Sequence, residues 1–411
     1  MNSNRPLSYE SLKSVLLHMD ANIRFHLSFK LPKIRTAERT TPLRINSLTL
    51  RYCNIVVDGI EYSVRVKREY SSTKWPKQLS WHPVNSRTIR FDANYDLNFY
   101  GGRDWITENV KTPGDMRMGW LETDRNEKTR AKRDQQLAED TLEKMIEDSR
   151  RQNKTSPLEI LKKWYSTTIL FTMKGRTCYK TETLTYNKKL TEAKKYLATR
   201  LFGNRRHSII VRHFYFAEGD EVVRLPSGFL QFKIQSLKIC DNPSALLNFL
   251  EPILDPESFP LKKISINEYD GTENDLQHSA IRSAKKLIFR SDIPLMSVMK
   301  KLQNEFVAVE DRDITIQNLM DLLNYWIATK RKIGSIFRCS YERKEEITRL
   351  FNLLHDRFGV VHHISESSWD KFSSHNMWIP INETSQLRVF SGIRKTSDSQ
   401  SWRVYMKVIH I

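Results

Sequence analysis

The sequence of 411 residues has few cysteines and lacks the motifs of common catalytic and metal sites. Its four cysteines, Cys53, Cys178, Cys240 and Cys339, lie far apart and form no C-x-x-C pair, which argues against a disulfide framework and a zinc site. There is no glycine-rich phosphate loop, no G-x-S-x-G and no H-E-x-x-H. We therefore predict no catalytic residues, no metal site, no cofactor and a protein that is not an enzyme.

Long apolar runs are also missing. No stretch approaches the roughly 20 apolar residues that cross a bilayer, and the first residues lack the apolar region of a signal peptide. A hydrophobic content of 39% and an aromatic content of 10% are typical of a folded globular chain. We expect an intracellular protein, cytoplasmic or nuclear, without a membrane partner.

Acidic residues are outnumbered, and the net charge is +19. The excess is uneven along the chain. Residues 156–230 carry 14 basic and 6 acidic side chains, whereas residues 231–411 carry 25 and 22. The nearly neutral C-terminal part is therefore the less suitable place for nucleic-acid binding.

The strongest basic segment lies within residues 186–212. Leu190, Ala193, Leu197 and Leu201 recur at helical spacing, and basic side chains surround them. Side chains of this kind form solvated helix faces in most proteins, so nucleic acid is not the expected partner. Nucleic-acid binding is kept as the alternative function, with six candidate residues: Lys188, Lys189, Lys194, Lys195, Arg205 and Arg206.

The region Phe229–Val361 organises the rest of the chain. Asn242 and Pro243 predict one helix start, and Gly359 predicts a helix end. Strand centres recur about every 20–29 residues, which favours a degenerate leucine-rich-repeat-like array. An open parallel α/β sheet is the alternative fold. Five short apolar runs predict the strands: Ser236–Cys240, Lys263–Glu268, Lys286–Arg290, Phe306–Glu310 and Ser335–Cys339.

Three alternating runs near the C-terminus predict an antiparallel β cap that closes the array. They are Met377–Ile381, Gln386–Phe390 and Trp402–Ile409.

Apolar spacing and turn signals divide the chain into five regions and indicate a mixed α+β or α/β fold. Asp58-Gly59 predicts a hairpin turn in the second region. The regions are a short helical module at 1–40, a β-rich region at 41–120, a charged helix or linker at 121–157, a basic α+β region at 158–228, and the strand–helix array with its β cap at 229–411.

Several stretches resemble the F-box C proteins, a family expanded in nematodes. The first is PLSYESLKSVLLHMDANIRFHLSFKLPKIRTAER, at Pro6–Arg39. The others, which resemble that family's uncharacterised domain, are TPGD (Thr112–Asp115), YNKKLTEA and LFGNR (within Tyr186–Arg205), RLPSGF (Arg224–Phe229) and SAKKLIF (Ser283–Phe289).

The resemblance implies that the N-terminal module is F-box-like and binds a Skp1-like linker protein of a cullin-type ubiquitin ligase. The rest of such a chain would then recruit a client protein, whose identity is unknown. A structural protein with a vestigial F-box is the other alternative. The residues that the resemblance assigns to Skp1 contact are Leu7, Leu12, Val15, Leu16, Ile23 and Leu27.

Overall fold

The computed structural model describes thirteen segments: residues 8–51, 54–70, 90–93, 112–116, 165–176, 179–185, 189–216, 222–240, 242–267, 273–290, 296–359, 375–395 and 400–411. The predicted charged segment at 121–157 lies outside them, as does most of 71–120. The chain forms two compact units. The N-terminal unit comprises Met1–Val211 with Phe216–Phe232, and the C-terminal unit comprises Arg212–Tyr215 with Lys233–Ile411.

The N-terminal unit begins with short helices, as predicted. Ser8 and Asp20 cap the first two because their side chains accept hydrogen bonds from backbone N–H groups of the first turn. Pro32 starts a 3₁₀ turn, Pro32–Ile34, before the third helix. The helices are α1 (Tyr9–His18), α2 (Ala21–Lys30) and α3 (Arg35–Thr40).

An antiparallel sheet follows, with neighbouring strands in the order β1-β2-β3-β5-β6 and β4 also paired with β3. The hairpin predicted at Asp58-Gly59 is confirmed: Val57 pairs with Ile60, and both turn residues have positive φ. The strands are β1 (Arg44–Leu50), β2 (Asn54–Val57), β3 (Ile60–Tyr70), β4 (Arg90–Ala93), β5 (Tyr165–Lys174) and β6 (Tyr179–Thr185).

Helix α4 (Leu190–Phe202) completes the N-terminal unit, and β7 (Ile209–Phe216) contains the boundary between the units. Three aromatic rings lie in the core of the N-terminal unit. Phe25 of α2 contacts Tyr62 of β3 and Phe202 of α4 edge-to-face, with ring centroids 6.1 and 6.2 Å apart. These rings join the N-terminal helices to the sheet and to α4.

The C-terminal unit contains the predicted strand–helix alternation. Its first five strands pair in parallel in sequence order, and each predicted run overlaps one of them. Apolar residues without long interruptions suit such buried parallel strands. The strands are β8 (Phe232–Ile239), β9 (Lys263–Ile266), β10 (Lys286–Phe289), β11 (Phe306–Asp313) and β12 (Ile336–Tyr341).

Helices and 3₁₀ turns connect these strands. Asn242 caps the first helix and Pro243 is its first residue, as predicted, and Gly359 ends the last helix with φ of 62°. A predicted helix start at Asp292 and Pro294 lies outside the described residues. The helices are α5 (Pro243–Leu250), α6 (Ser279–Ser283), α7 (Met296–Lys301), α8 (Ile316–Ala328) and α9 (Lys344–Phe358), and the 3₁₀ turns are Glu251–Ile253, Pro256–Ser258 and Glu273–Gln277.

The three C-terminal strands are antiparallel, as predicted, but they continue the sheet instead of closing it as a separate cap. β12 pairs with β15, β15 with β14, and β14 with β13. The fold is therefore a mixed α/β arrangement with a large sheet, and the leucine-rich-repeat likeness stays a prediction. The strands are β13 (Asn376–Asn382), β14 (Ser385–Lys395) and β15 (Gln400–His410). Among the described residues, no helix has the length and apolar character that crossing a membrane requires.

Candidate partner-binding surface

The N-terminal helices are fixed to the rest of their unit by a buried arginine. Arg24 of α2 is 1% exposed. Its guanidinium donates hydrogen bonds to the carbonyl oxygens of Pro42 at 2.7 Å, Glu38 at 2.9 Å and Thr41 at 2.9 Å. A buried guanidinium is stable only when its donors are satisfied, so these bonds hold α2 against the segment that leads into β1.

The carboxylate of Glu38 forms ion pairs with Arg24 and with a second buried arginine, Arg205. Oε1 of Glu38 lies 3.1 Å from Nη2 of Arg24 and 2.7 Å from Nη2 of Arg205, which follows α4. All three side chains are buried. Burial lowers the pKa of Arg24 to about 10, against the opposing effect of Glu38. The cluster thus connects α2, α3 and the end of α4 through charge-assisted hydrogen bonds.

A neutral hydrogen-bonded pair fixes the start of α2 to the sheet. The side-chain amide of Asn22 donates to the carbonyl oxygen of Val57 at 3.0 Å, and the hydroxyl of Tyr62 donates to Oδ1 of Asn22 at 2.8 Å. The helical module is therefore an integral part of the N-terminal unit. Its buried face is already occupied by its own chain.

Several apolar side chains of α1, of α2 and of the residue after α2 remain accessible. Val15 is 45% exposed, Ile23 is 53% exposed and Leu31 is 50% exposed. Leu12 and Leu27 are half-buried beside them. We call these residues the N-terminal apolar rows: Leu12 and Val15 on α1, Ile23 and Leu27 on α2, and Leu31 directly after α2.

The apolar rows contain four of the residues that the F-box resemblance assigned to Skp1 contact. Leu16 differs, because it is fully buried inside the unit and cannot contact a partner. Leu7 lies outside the described residues. Leu31, which directly follows α2, is also exposed, and sequence reasoning did not name it.

A second buried carboxylate connects two of the motifs that carry the family resemblance with helix α4. Asp115, in the turn Thr112–Asp115, accepts hydrogen bonds from Nη1 of Arg224 at 2.8 Å and from Nζ of Lys195 at 3.1 Å. The hydroxyl of Thr112 also donates to it, at 2.6 Å. Burial alone would raise the pKa of Asp115, but these hydrogen bonds outweigh it and lower the pKa. Two of the motifs, TPGD and RLPSGF, therefore form one structural junction with α4.

Three of the six cations that the nucleic-acid alternative named are buried or ion-paired, and we correct the expectation for those three. Arg205 is paired with Glu38, Lys195 with Asp115, and Lys194 is 6% exposed. Lys189 and Arg206 are exposed, and Lys188 lies outside the described residues. Lys195 and Arg205 thus serve internal ion pairs.

Comparison with known proteins gives one family match. The model of a domain of unknown function, DUF3557, matches residues 189–343. The match agrees with the expectation of an uncharacterised domain in this part of the chain, and it covers α4 through β12. No curated protein matches the chain.

One solved structure is similar, the "METTL16 MTase domain (crystal form 2)". The similarity covers 52% of this chain and 65% of that chain, at 10% identity and a TM-score of 0.21. The match names a methyltransferase domain, so our prediction that the chain is not an enzyme is contradicted by it and is withdrawn. No methyl-transfer chemistry is inferred, because so low a TM-score aligns no residues that could be assigned roles.

Proposed function

We propose that the chain is a protein–protein interaction protein and acts as a substrate-recognition adaptor of a Skp1/cullin-type ubiquitin ligase. The N-terminal apolar rows would contact the Skp1-like linker, and the C-terminal unit would recruit the client. The observation that carries the proposal is the exposure of three large apolar side chains: Val15 on α1, Ile23 on α2 and Leu31 directly after α2. Large apolar side chains that cluster on a surface are typical of interaction sites.

The buried contacts that hold α2 in place favour the same function. Interaction surfaces bind tightly when the free protein already has the bound conformation, since less entropy is then lost on binding. The Arg24–Glu38–Arg205 cluster and the Asn22–Tyr62 hydrogen bond immobilise α2 from its buried side. The apolar rows are thus presented on a fixed support.

Capture of the full chain by purified Skp1 tests the proposal. We expect the wild type to be captured and the double variant Val15→Asp, Ile23→Asp to bind at least about tenfold more weakly, because buried apolar anchors contribute most of the binding energy of such interfaces. Both positions are exposed, so the variant should fold. The matched control is Ile333→Asp, Leu353→Asp, which alters apolar residues of similar exposure in the C-terminal unit.

Two results would contradict the adaptor function. One is failure of Skp1 to capture the wild type. The other is equal capture of the wild type and the Val15, Ile23 variant, which would separate Skp1 binding from the apolar rows.

A further inference from the structure

The sheet of the C-terminal unit has two unlike faces. On one face, alternate strand residues are buried and apolar, and helices cover them: Trp326 of α8 packs against Phe337 of β12, and Nζ of Lys344 of α9 lies over the ring of Trp402 of β15. On the other face, the intervening residues are mostly polar, charged or aromatic, and many are partly exposed. Strand residues alternate between the two faces, so the register assigns each residue to a face.

The second face is basic. Lys263 pairs with Lys286 across β9 and β10, and Lys407 pairs with Arg388 across β15 and β14. Acidic residues occur in the sequences of β8–β15 only within β11, at Glu310, Asp311 and Asp313. We call this surface the basic sheet face; its cations are Lys238, Lys263, Lys286, Arg290, Arg338, Arg388, Arg403 and Lys407.

Three guanidinium groups surround Glu310 on this face. Arg338 forms an ion pair with it, and the nearest nitrogens of Arg290 and Arg403 lie 3.6 and 3.9 Å from its carboxylate oxygens. Burial lowers the pKa of Arg338, and Arg403 lowers it further. Burial likewise lowers the pKa of Lys263, with Arg290 as the next contribution. The like charges are close enough to oppose one another, so an incoming anion would relieve this repulsion.

Aromatic rings hold the cations in place. Lys286 and Arg338 both lie over the ring of Phe306, at 5.9 and 5.2 Å from its centroid. Arg388 lies 4.7 Å from the centroid of Phe390, and Phe390 stacks on Tyr405 with centroids 4.8 Å apart. Contacts of this kind orient a cation. Phe306 and Phe390 each contact two neighbouring side chains, so they do not form open platforms on which bases would stack.

We propose that the basic sheet face binds an extended acidic segment of a protein. Charge complementarity identifies the occupant, and the occupied rings favour carboxylates of a peptide over a single-stranded nucleic acid. The seven strand spacings between β8 and β13, at about 4.8 Å each, make the face about 34 Å wide, which matches about ten residues of extended chain. The inference rests on the proposed function in one respect: the protein that carries the acidic segment would be the client of the adaptor.

Binding of a fluorescent peptide of alternating glutamate and serine to the full chain tests the proposal, with an oligothymidylate of equal charge as the comparison probe. We expect the peptide to bind, with an affinity that falls as salt rises. The variant Lys286→Glu, Lys407→Glu should weaken binding at least about tenfold, because like charges placed in an interface repel the ligand. The variant Lys286→Gln, Lys407→Gln should also weaken peptide binding, by a smaller factor. It tests the same two lysines if the glutamate variant does not fold.

The matched control is Arg349→Glu, Arg357→Glu, which makes the same change in net charge on the exposed side of α9. Unchanged peptide binding by this control supports the proposal. Equal weakening in control and test variants would overturn it, since attraction would then depend on net charge alone. Tighter binding of the oligothymidylate, or no binding of the peptide, would also overturn it.

Capture by Skp1, measured on the same variants, separates this inference from the proposed function. The Lys286, Lys407 variants should be captured like the wild type, because the apolar rows are unchanged in them. Loss of peptide binding with retained Skp1 capture is the expected pattern. Failure of Skp1 capture alone would remove the adaptor function and leave the acidic-segment site intact.

Discussion

Arg205 donates a hydrogen bond of 2.7 Å to Oε1 of Glu38, across 167 positions of sequence. Through this contact the end of α4, within the matched domain of unknown function, is fixed to the N-terminal helices. The pair is buried and shares its carboxylate with Arg24, so the three side chains fold as one cluster. The N-terminal helices are therefore fixed to their unit and are not a freely attached module.

Glu38→Ala should be the most destabilising change in this cluster. It leaves two buried guanidinium groups without a counter-ion, which costs about 3–5 kcal/mol. Arg205→Met should cost less, because Arg24 and Glu38 remain as a balanced pair. Urea unfolding of both variants measures which one loses more free energy of unfolding. The control is Arg51→Met, which changes an exposed arginine of the same unit. Equal losses for the two buried positions would contradict the shared-carboxylate arrangement.

Asp115 should make the stability of the N-terminal unit dependent on acid pH. Its pKa in the folded protein is lowered below the usual 3.8, so its contribution is present above pH 3.8 and is lost as the pH falls through the folded value. Asp115→Asn should cost about 3–5 kcal/mol at pH 7, because Lys195 and Arg224 lose their buried partner. The difference in the free energy of unfolding between Asp115→Asn and the wild type should become smaller below pH 3.8.

Thermal unfolding at a series of pH values checks this dependence, and Glu192→Gln, an exposed carboxylate on α4, serves as the control. A difference between Asp115→Asn and wild type that is the same at pH 7 and at the lowest pH would show that the ionised carboxylate is not the stabilising form.

Two glycines with similar backbone angles should respond differently to alanine. Gly59 has φ of 80° and open space where a Cβ would lie, so Gly59→Ala should cost about 1–2 kcal/mol from the left-handed conformation alone. Gly114 has φ of 90°, and a Cβ there would lie 2.1 Å from the carbonyl oxygen of Pro226. Gly114→Ala should therefore cost more, since the turn must separate from Pro226. Chemical unfolding compares the two variants, and equal costs would argue against close packing of this turn.

The strands and helices of the C-terminal unit could be predicted because their signals are local. Short β-branched runs and helical spacing identified β8–β12, and Asn242 and Gly359 were sufficient to identify helix ends. The continuation of the sheet through β12 and β15 could not be predicted. Pairing between strands that are distant in sequence depends on tertiary packing, and the residue pattern of one strand gives no information about its partner strand.

The positions and partners of the charged side chains could not be predicted from the sequence. Lys195 on α4 and Arg205 just after it belong to a segment whose pattern is typical of a solvated basic face, yet both have carboxylate partners more than 75 residues away in sequence. Conversely, the near balance of 25 basic and 22 acidic residues in 231–411 concealed a sheet face on which cations predominate. Net charge averages over faces, whereas binding depends on the local arrangement.

Adjacent residues of α1 should give opposite results when replaced by aspartate. Leu16 is fully buried, so Leu16→Asp places an unpaired carboxylate in the apolar interior and should unfold the N-terminal unit. Val15 is 45% exposed, so Val15→Asp should change the free energy of unfolding by less than about 1 kcal/mol. Thermal melting and resistance to limited proteolysis distinguish the two. If Val15→Asp were as destabilising as Leu16→Asp, the side of α1 that carries Leu12 and Val15 would be part of the core, and no apolar surface would remain there for a Skp1-like partner.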